Sequence, residues 1–381
     1  MRPMPVIALD FTPALKQSAG IGRFVRGLVG GLSRVPSEFS FLLVTTRDCP
    51  PFNPATYGPR FRATQLPFKE RTFLAAWFRL GLPVPFDRLV PGFDLFHGPN
   101  FVLPPLARAV GVVTVHDLNF MVDPRWVPAK LGRFLRRAVP ASVRRARLVA
   151  TDSQATAADL VRFLKVDPNV IRVVYGGVDP PEIQEPAAED LLEAFGLEPG
   201  YILFVGRVEP RKNLPGLITA YNLLRQKYPA ITRPLVIVGA PGWLYDDFLA
   251  ALGTSPFRAD IRWLQGLSDP QVAALLSRAG VLVYPSFYEG FGLPVLEAMA
   301  AGVPVVTSNR ASLPEVAADA AWLVDPADPA AIADAIREAL TDEVARARAV
   351  AAGRERAAKF TWEAAAETLL GVYREALGGW G

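Results

Sequence analysis

The sequence predicts an α/β fold of two doubly wound domains, each built around a parallel sheet with helices on both faces. Short apolar runs rich in β-branched residues alternate with helical patterns along most of the chain. Such runs are typical of parallel strands that are buried on both faces. With 381 residues, 51% of them hydrophobic, the chain is long enough for two cores. A stretch rich in Pro, Glu and Ala at 178–200 separates two such series and is predicted to be the linker.

The first series predicts six strands between helical segments. The apolar runs lie at 6–9, 41–45, 94–97, 112–115, 148–150 and 171–174. Between several of them, apolar residues recur with the period of a helix, at 21–33, 71–80 and 131–139. This alternation predicts the first doubly wound domain.

The second series begins after a small predicted helix at 190–195 and again contains six predicted strands. These strands are expected at 201–205, 235–238, 261–264, 281–284, 304–307 and 321–324. Helices are expected at 214–227, 245–252, 270–279, 294–301 and 329–340. A charged, Ala-rich helix at 343–359 follows, and Thr361 is predicted to cap a last amphipathic helix that ends near residue 377.

Composition excludes several classes of protein. The net charge is +4, with 41 basic against 37 acidic residues, which is no excess of the kind that binds nucleic acid. The single cysteine, Cys49, excludes an intramolecular disulfide and a cysteine-based metal cluster, and it suits a reducing cytosol. The run at 6–9 is too short for a signal-peptide core, and the long apolar region 279–306 carries two glutamates and several Pro and Gly residues. We therefore expect a cytoplasmic protein, either soluble or peripheral on a membrane.

The most informative motif is the stretch 288–297, which places Glu289 and Glu297 eight positions apart around a glycine-proline turn. A buried strand is predicted before it and a short helix after it. Gly290 and Gly292 allow a ligand to approach the backbone, next to the free amides of a helix N-terminus. The alternative is a plain strand-to-helix turn with one glutamate favoured by the helix dipole.

A second motif at 204–214 again runs from a buried strand through a polar turn into a helix. It contributes Arg207 and Lys212. Two cations near the carboxyl end of a parallel strand suit an anionic ligand, because open α/β sheets bind ligands at that edge. The alternative is that both residues cap the loop or pair with Glu209.

Together these two motifs resemble those of the retaining GT-B glycosyltransferases of family 4 (glycosyl transferases group 1), which include sucrose-phosphate synthases and many bacterial mannosyltransferases. The resemblance runs from Gly20 to about Ala335 and is stronger in the second half. It implies two Rossmann-like domains facing each other across a cleft. It further implies an acceptor domain at 1–176, a donor domain at 177–360, and a C-terminal helix at 361–381 that crosses back to the first domain.

The resemblance implies a donor site for a nucleoside diphosphate sugar in the second domain. Arg207 and Lys212 would stabilise the diphosphate leaving group in place of a metal ion, and the sequence has no Asp-x-Asp that would support a metal. Glu297 would accept hydrogen bonds from the ribose diol, and Glu289 would lie near the transferred sugar. The other implied donor contacts are Gly290, Phe291, Gly292 and Leu293 at the sugar and phosphates, and Leu264, Gln265, Gly266 and Leu267 at the base.

In the first domain the resemblance points to Gly20, Gly22 and His116. Ala19 stands where the family often has a further glycine, so only Gly20 and Gly22 are carried over as donor contacts. His116 resembles the histidine near the hydroxymethyl group of the sugar, and the alternative is a structural histidine. Asp117 would either orient its ring or cap a turn, and His97 is predicted to be structural.

The implied reaction is the transfer of a hexose, with retention of configuration, to a hydroxyl of a glycan or lipid-linked acceptor in cell-envelope polysaccharide synthesis. No protein nucleophile and no cofactor beyond the donor is expected. The motif at 208–213 is most similar to enzymes that use GDP-mannose, while UDP- and ADP-sugars remain open.

One alternative function is an NAD-dependent dehydrogenase, which would need a third glycine where Val25 stands. The other is a non-catalytic nucleotide-sugar-binding or membrane-associated scaffold, which would not need the charged donor residues.

Membrane contact is a further expectation. The aromatic segment 73–78 and the arginine-rich segment 133–147 combine apolar and basic side chains. Such a combination suits the anionic inner face of a bacterial membrane. The alternative is that the arginines form the solvated face of one helix and the aromatic rings pack in the core.

Overall fold

The computed structural model describes residues 4–17, 20–82, 84–179 and 185–378. The chain divides into two compact units. The first contains Met1–Pro124, Ala129–Gly177 and Thr361–Gly381, and the second contains Arg125–Pro128 and Val178–Phe360. The main division thus falls one residue after the predicted boundary at 176, and the segment Arg125–Pro128 lies with the second unit.

In the described part of the first unit, a seven-stranded sheet forms the centre. Its strands are β1 (Val6–Asp10), β2 (Ser40–Thr45), β3 (Phe61–Gln65), β4 (Leu95–Gly98), β5 (Val110–Val115), β6 (Leu148–Thr151) and β7 (Ile171–Val173). They pair in the order β3-β2-β1-β4-β5-β6-β7, and every pairing is parallel.

A six-stranded sheet forms the centre of the second unit, again counting the described residues. Its strands are β8 (Ile202–Val205), β9 (Leu235–Val238), β10 (Ile261–Leu264), β11 (Val281–Tyr284), β12 (Val305–Ser308) and β13 (Trp322–Val324). The order is β10-β9-β8-β11-β12-β13, also with parallel pairing throughout. Two doubly wound parallel sheets confirm the predicted fold class.

Helices follow most strands in both units. Those of the first unit before the linker are α1 (Thr12–Lys16), α2 (Ile21–Arg34), α3 (Glu70–Phe78), α4 (Phe86–Leu89), α5 (Asn119–Val122), α6 (Ala129–Arg145) and α7 (Gln154–Leu164). The later ones are α8 (Glu185–Phe195), α9 (Leu214–Lys227), α10 (Asp246–Thr254), α11 (Asp269–Ser277), α12 (Leu293–Ala300), α13 (Leu313–Ala317), α14 (Pro329–Thr341), α15 (Glu343–Ala357) and α16 (Trp362–Ala376). Among the residues described, no helix is both long and apolar enough to span a bilayer.

The central strands form the cores because their residues are apolar on both faces. Ile7, Ala8 and Leu9 of β1 are fully buried, as are Ile202 and Leu203 of β8. All twelve predicted strands are present, with ends that differ by no more than two residues. The additional strand, β3, lies at the edge of its sheet and alternates polar with apolar residues, so it has no continuous apolar run.

The last helix, α16, packs against α2 within the first unit. Its cap is Thr361, whose hydroxyl accepts a hydrogen bond from the amide of Ala364. Trp362 lies so close to Gly27 and Gly31 that a Cβ on either glycine would stand 2.1 Å from it. Small residues on α2 therefore allow this close approach of the two helices.

Candidate active site

The carboxyl ends of two neighbouring strands bring the two sequence motifs together. β8 and β11 pair directly, with Val281 opposite Ile202. β8 leads into the turn that carries Arg211 and Lys212, and β11 leads into the loop that carries Glu289. Residues 77 positions apart in sequence therefore meet at the edge where open parallel sheets bind ligands.

Glu289 lies at the centre of a buried ion cluster. Its Oε1 is 2.5 Å from Nζ of Lys212, and its Oε2 is 2.5 Å from Nη1 of Arg211. The ammonium group of Lys212 also donates a hydrogen bond to the hydroxyl of Tyr284. Only 7% of the Glu289 side chain and 8% of the Lys212 side chain are exposed, so water screens these charges weakly.

The cluster keeps Glu289 ionised. Burial alone would raise its pKa, but the charges of Arg211 and Lys212 outweigh this effect and lower the pKa of Glu289 to about 2. Burial acts on Lys212 in the opposite sense and lowers its pKa, while the facing carboxylate favours the ammonium form. A carboxylate that is held by two cations is a weak base and a weak nucleophile.

Arg207 occupies a different position from Lys212. It follows Gly206 at the exit of β8 and is exposed. Glu209, which the sequence offered as an alternative partner for Arg207 and Lys212, lies 3.3 Å from Nε of Arg211. The sequence reasoning did not single out Arg211, although its place beside Lys212 in the motif was a usable signal.

The loop between Glu289 and α12 is fixed by the protein itself. The hydroxyl of Ser312 donates to the carbonyls of Glu289 (2.9 Å) and Phe291 (2.7 Å). Gly292 has φ +123°, which disfavours a side chain, and it precedes the first residue of α12, Leu293. Gly290 is buried in the same loop, and Glu297 is half-buried one turn into the helix.

The residues predicted to read the base follow β10. Leu264 ends this strand, and its carbonyl accepts a hydrogen bond from the amide of Gly239. Gln265 and Gly266 are exposed and Leu267 is half-buried. They therefore lie at the same sheet edge as the ion cluster, two strands away from β8.

In the first unit, His116 follows β5 and is buried against Asp152. Its Nδ1 is 2.6 Å from Oδ2 of Asp152, and its Nε2 is 2.7 Å from the carbonyl oxygen of Pro99. Asp152, rather than Asp117, therefore orients the ring. Asp117 instead accepts a hydrogen bond from the amide of Asn119, which corresponds to the alternative that it caps a turn.

The hydrogen-bond partners of His116 and Asp152 indicate where the protons of this pair lie. A carbonyl oxygen only accepts, so the contact with Pro99 places a proton on Nε2 of His116. Burial disfavours a charged ring, but Asp152 and the Pro99 carbonyl favour it, and together they raise the pKa of His116. Burial likewise raises the pKa of Asp152. His116 and Asp152 thus share the remaining proton along a short contact.

The two glycines after the first strand, Gly20 and Gly22, are each required by the backbone for a different reason. Gly20 has φ +56° and precedes α2. A Cβ on Gly22 would stand 1.9 Å from the carbonyl oxygen of Gln17, so this position excludes every side chain. Ala19 lies outside the described residues.

His97 is fully buried, with its ring nitrogens 2.8 Å from the hydroxyls of Tyr373 and Thr114, as a structural histidine would be.

Trp126 is an addition that no sequence motif indicated. It lies in the segment Arg125–Pro128, and its ring stacks on Phe287 with centroids 6.3 Å apart and an interplanar angle of 6°. Its carbonyl accepts a hydrogen bond of 2.7 Å from the indole of Trp243. Trp126 thus supports the loop that carries Glu289.

Comparison with known proteins agrees with this geometry. The family model "Glycosyl transferases group 1" matches residues 189–356, and the family model "Glycosyltransferase Family 4" matches residues 18–182. The "O-antigen chain mannosyltransferase B" of Escherichia coli is 38% identical over 288 residues, which cover 74% of each chain.

Two further similarities concern other members and the fold. A "D-inositol 3-phosphate glycosyltransferase" of Salinispora arenicola is 35% identical over 255 residues, which are 62% of this chain and 56% of that protein. The structure of sucrose-phosphate synthase from Thermosynechococcus elongatus superposes with a TM-score of 0.74 at 22% identity, over 97% of this chain and 98% of that one. This neighbour shows the GT-B fold. The chain therefore belongs to the group 1, or family 4, glycosyltransferases.

Proposed function

We propose that this glycosyltransferase transfers a hexose, with retention of configuration, from a nucleoside diphosphate sugar to a hydroxyl of a cell-envelope glycan or its lipid-linked precursor. The buried pair of Lys212 and Glu289 at the carboxyl edge of the second sheet carries the proposal. It places a cation for a phosphate and an anion for sugar hydroxyls within one hydrogen bond of each other. A non-catalytic binding or scaffold protein would not need this buried charge.

The donor would lie along the edge of the second sheet. Lys212, with the exposed Arg207, would stabilise the charge that develops on the leaving diphosphate. The amides at the start of α12, after Gly292, would bind the phosphates, since helix N-termini favour anions. Glu297 would accept the ribose hydroxyls, and the loop 264–267 would contact the base.

The state of Glu289 argues against a double displacement through this carboxylate, so the proposed retention would come from attack on the face that the phosphate leaves. Both of its oxygens are bound by cations, so it is poorly suited to attack the sugar as a nucleophile. A hydroxyl-binding role close to the transferred sugar suits such a carboxylate better. The departing phosphate would then take the proton of the acceptor on the face from which it leaves. His116 stays a predicted sugar contact, and its Nε2 would first have to leave the carbonyl of Pro99.

Mannose is the proposed sugar because the relative that is 38% identical is named an O-antigen chain mannosyltransferase. The decisive test incubates the protein with labelled GDP-mannose, UDP-glucose or ADP-glucose and lipid-linked acceptors, and follows transfer to the acceptor. We expect an α-linked product from GDP-mannose. Donor binding without any product would support the scaffold alternative, and a β-linked product would contradict retention.

We propose that no metal ion takes part, because Lys212 and Arg207 supply the positive charge at the diphosphate. Among the described residues, no three His, Cys, Asp or Glu side chains are grouped so that they would hold a metal ion. Transfer should continue in EDTA at the rate seen with added magnesium or manganese. Loss of activity in EDTA and its recovery with either metal would overturn this part of the proposal.

Contact with an anionic membrane from the cytoplasmic side is also proposed, at residues that flank the predicted aromatic segment 73–78 in sequence. Trp77 is buried, and its ring packs with Phe73 and Phe86, while the other residues of the segment 73–78 are half-buried. The segments 68–82 and 84–89 instead expose apolar side chains beside basic ones. The exposed apolar residues are Phe68, Leu80, Leu82, Val84 and Leu89, and the exposed basic ones are Lys69, Arg71, Arg79 and Arg88.

Vesicle co-sedimentation tests the membrane proposal. Binding should occur with vesicles of phosphatidylglycerol but not of phosphatidylcholine, and it should weaken with salt. Leu80→Glu with Leu82→Glu should abolish binding. Leu249→Glu, at an exposed leucine of the second unit, is the control. Retained binding by the double variant would reject this surface, and Arg136→Glu with Arg137→Glu would then test the originally predicted arginines.

A further inference from the structure

Arg211 holds three successive residues of the loop that carries Glu289. Its carbonyl accepts a hydrogen bond of 2.8 Å from the amide of Phe287. Its Nη1 donates to the carbonyl of Tyr288 at 3.1 Å and lies 2.5 Å from Oε2 of Glu289. Arg211 therefore contacts both the backbone of this loop and its carboxylate.

Arg211 also contacts a second carboxylate, that of Glu209. Its Nε is 3.3 Å from Oε2 of Glu209, a carboxylate that is itself only 6% exposed. The guanidinium group therefore lies between two buried carboxylates. Moving it toward a ligand would leave Glu209 and Glu289 without this cation, at a high cost in a buried site.

The two cations that bind Glu289, Lys212 and Arg211, thus differ in whether they can also bind the donor. Under the proposed function, the single ammonium group of Lys212 also binds the diphosphate. It then binds Glu289 less strongly. Arg211 stays on the opposite oxygen. One cation is shared with the ligand, whereas the other remains with the carboxylate.

We propose that Arg211 is a positioning residue for sugar transfer, which keeps Glu289 an oriented anion while Lys212 engages the donor diphosphate. This inference rests on the proposed function and adds to it a residue that acts through Glu289 without touching the donor. Without Arg211, Glu289 would be free to rotate or to take up a proton. It would then accept hydrogen bonds from the sugar hydroxyls less well.

The kinetic test compares Arg211→Gln and Arg211→Lys with a matched control, Arg225→Gln. Arg225 forms a similar ion pair in the same unit, with Asp260 at 2.6 Å. Arg211→Gln should lower kcat by about 100-fold, an effect of the size seen when one transition-state hydrogen bond is lost, and leave KM for the donor nearly unchanged. Arg211→Lys should recover part of kcat, and Arg225→Gln should match the wild type.

The pH profile separates positioning from a merely structural role. Loss of the guanidinium charge should raise the pKa of Glu289 from about 2, so the acidic limb of the kcat/KM profile should move to higher pH. A raised KM with unchanged kcat would make Arg211 a donor ligand and overturn the inference. An unchanged kcat and pH profile in a folded Arg211→Gln variant would overturn it as well.

A measurement without substrate keeps this inference distinct from the proposed function. The carboxyl carbon of Glu289 can be followed by NMR in ¹³C-glutamate-labelled protein and assigned with Glu289→Gln. It should stay ionised over the whole folded range in the wild type and take up a proton within that range in Arg211→Gln. An unshifted titration overturns the inference. A shifted titration in a protein that transfers no sugar from any donor supports the contact and overturns the proposed function.

Discussion

The two units share one architecture but differ in how they treat charge at the carboxyl ends of their strands. In the second unit, Glu289 faces two cations, and the exposed Arg207 adds a third nearby in sequence. In the first unit, the histidines at the same edge are satisfied by their own protein neighbours: His116 by Asp152 and Pro99, and His97 by Tyr373 and Thr114.

This difference suggests what each edge is suited to bind. The buried cluster pairs two cations with two carboxylates, and the exposed Arg207 is a further cation at this edge, which favours an anionic ligand such as a diphosphate. Ring nitrogens that already have partners favour a neutral ligand, because a hydroxyl can replace one hydrogen bond without leaving a buried charge alone. Under the proposed function, the corresponding edges of the two sheets therefore suit a charged ligand in the second unit and an uncharged one in the first.

Removal of the shared cation should have the largest effect. Lys212→Met takes away the cation of the diphosphate and one partner of Glu289, and kcat/KM should fall by about 1,000-fold, or roughly 4 kcal/mol. Steady-state kinetics with the preferred donor measure this loss. Lys227→Met is the control, because Lys227 pairs with Asp334 at the surface and should leave activity unchanged. A variant that stays active would remove the cation from the proposed site.

Acid should destabilise the protein through His97. Burial lowers the pKa of His97 to about 3, so the unfolded chain binds more protons than the folded one between that value and about 6.5. Stability is present above this window and is lost as the pH falls through it. Between about pH 7 and pH 4.5 we expect a loss of roughly 2–3 kcal/mol from this group.

His97→Gln isolates that contribution. Asp10 acts in the opposite sense, because burial raises its pKa to about 6, so the wild-type curve alone combines both effects. Urea unfolding of the two proteins at each pH gives the difference. Equal acid sensitivity in the wild type and the variant would show that His97 is not the responsible group.

Glu297→Ala should have a smaller effect, confined to binding. Loss of the ribose acceptor should weaken the preferred nucleotide at least about tenfold, or about 1.4 kcal/mol. Calorimetric titration measures this affinity, with Glu343→Ala at the exposed start of α15 as the control. Unchanged affinity in a folded variant would contradict the ribose role.

The sequence predicted the sheets well because their strands are continuous apolar runs. It predicted the helices less evenly: α6 continues through Pro140 to Arg145, beyond the predicted end at 139, and α7 was not predicted at all. The edge strand β3 was also missed, since its polar alternation gives no apolar run.

The site could be predicted only in part, for a different reason. Glu289 and Lys212 carried recognisable motifs, whereas the roles of Arg211 and Asp152 depend on which strands are neighbours. Arg211 and Glu289 are 78 positions apart, and His116 and Asp152 are 36 apart. Each pair meets because its two strands adjoin, and strand order is a property of the whole sheet that local periodicity does not contain.

The smallest expected effect tests the first unit. Asp152→Asn keeps a hydrogen-bonding partner for Nδ1 of His116 but removes the carboxyl group, so a charged ring would lack its counter-charge. The pKa of His116 should therefore fall, which NMR detects readily because the sequence contains only two histidines. If the pair serves only to hold the ring, activity should fall no more than about threefold, or roughly 0.7 kcal/mol. A loss near that of Lys212→Met would instead show that the shared proton takes part in transfer, and the contrast between a charged edge and a neutral edge would no longer hold.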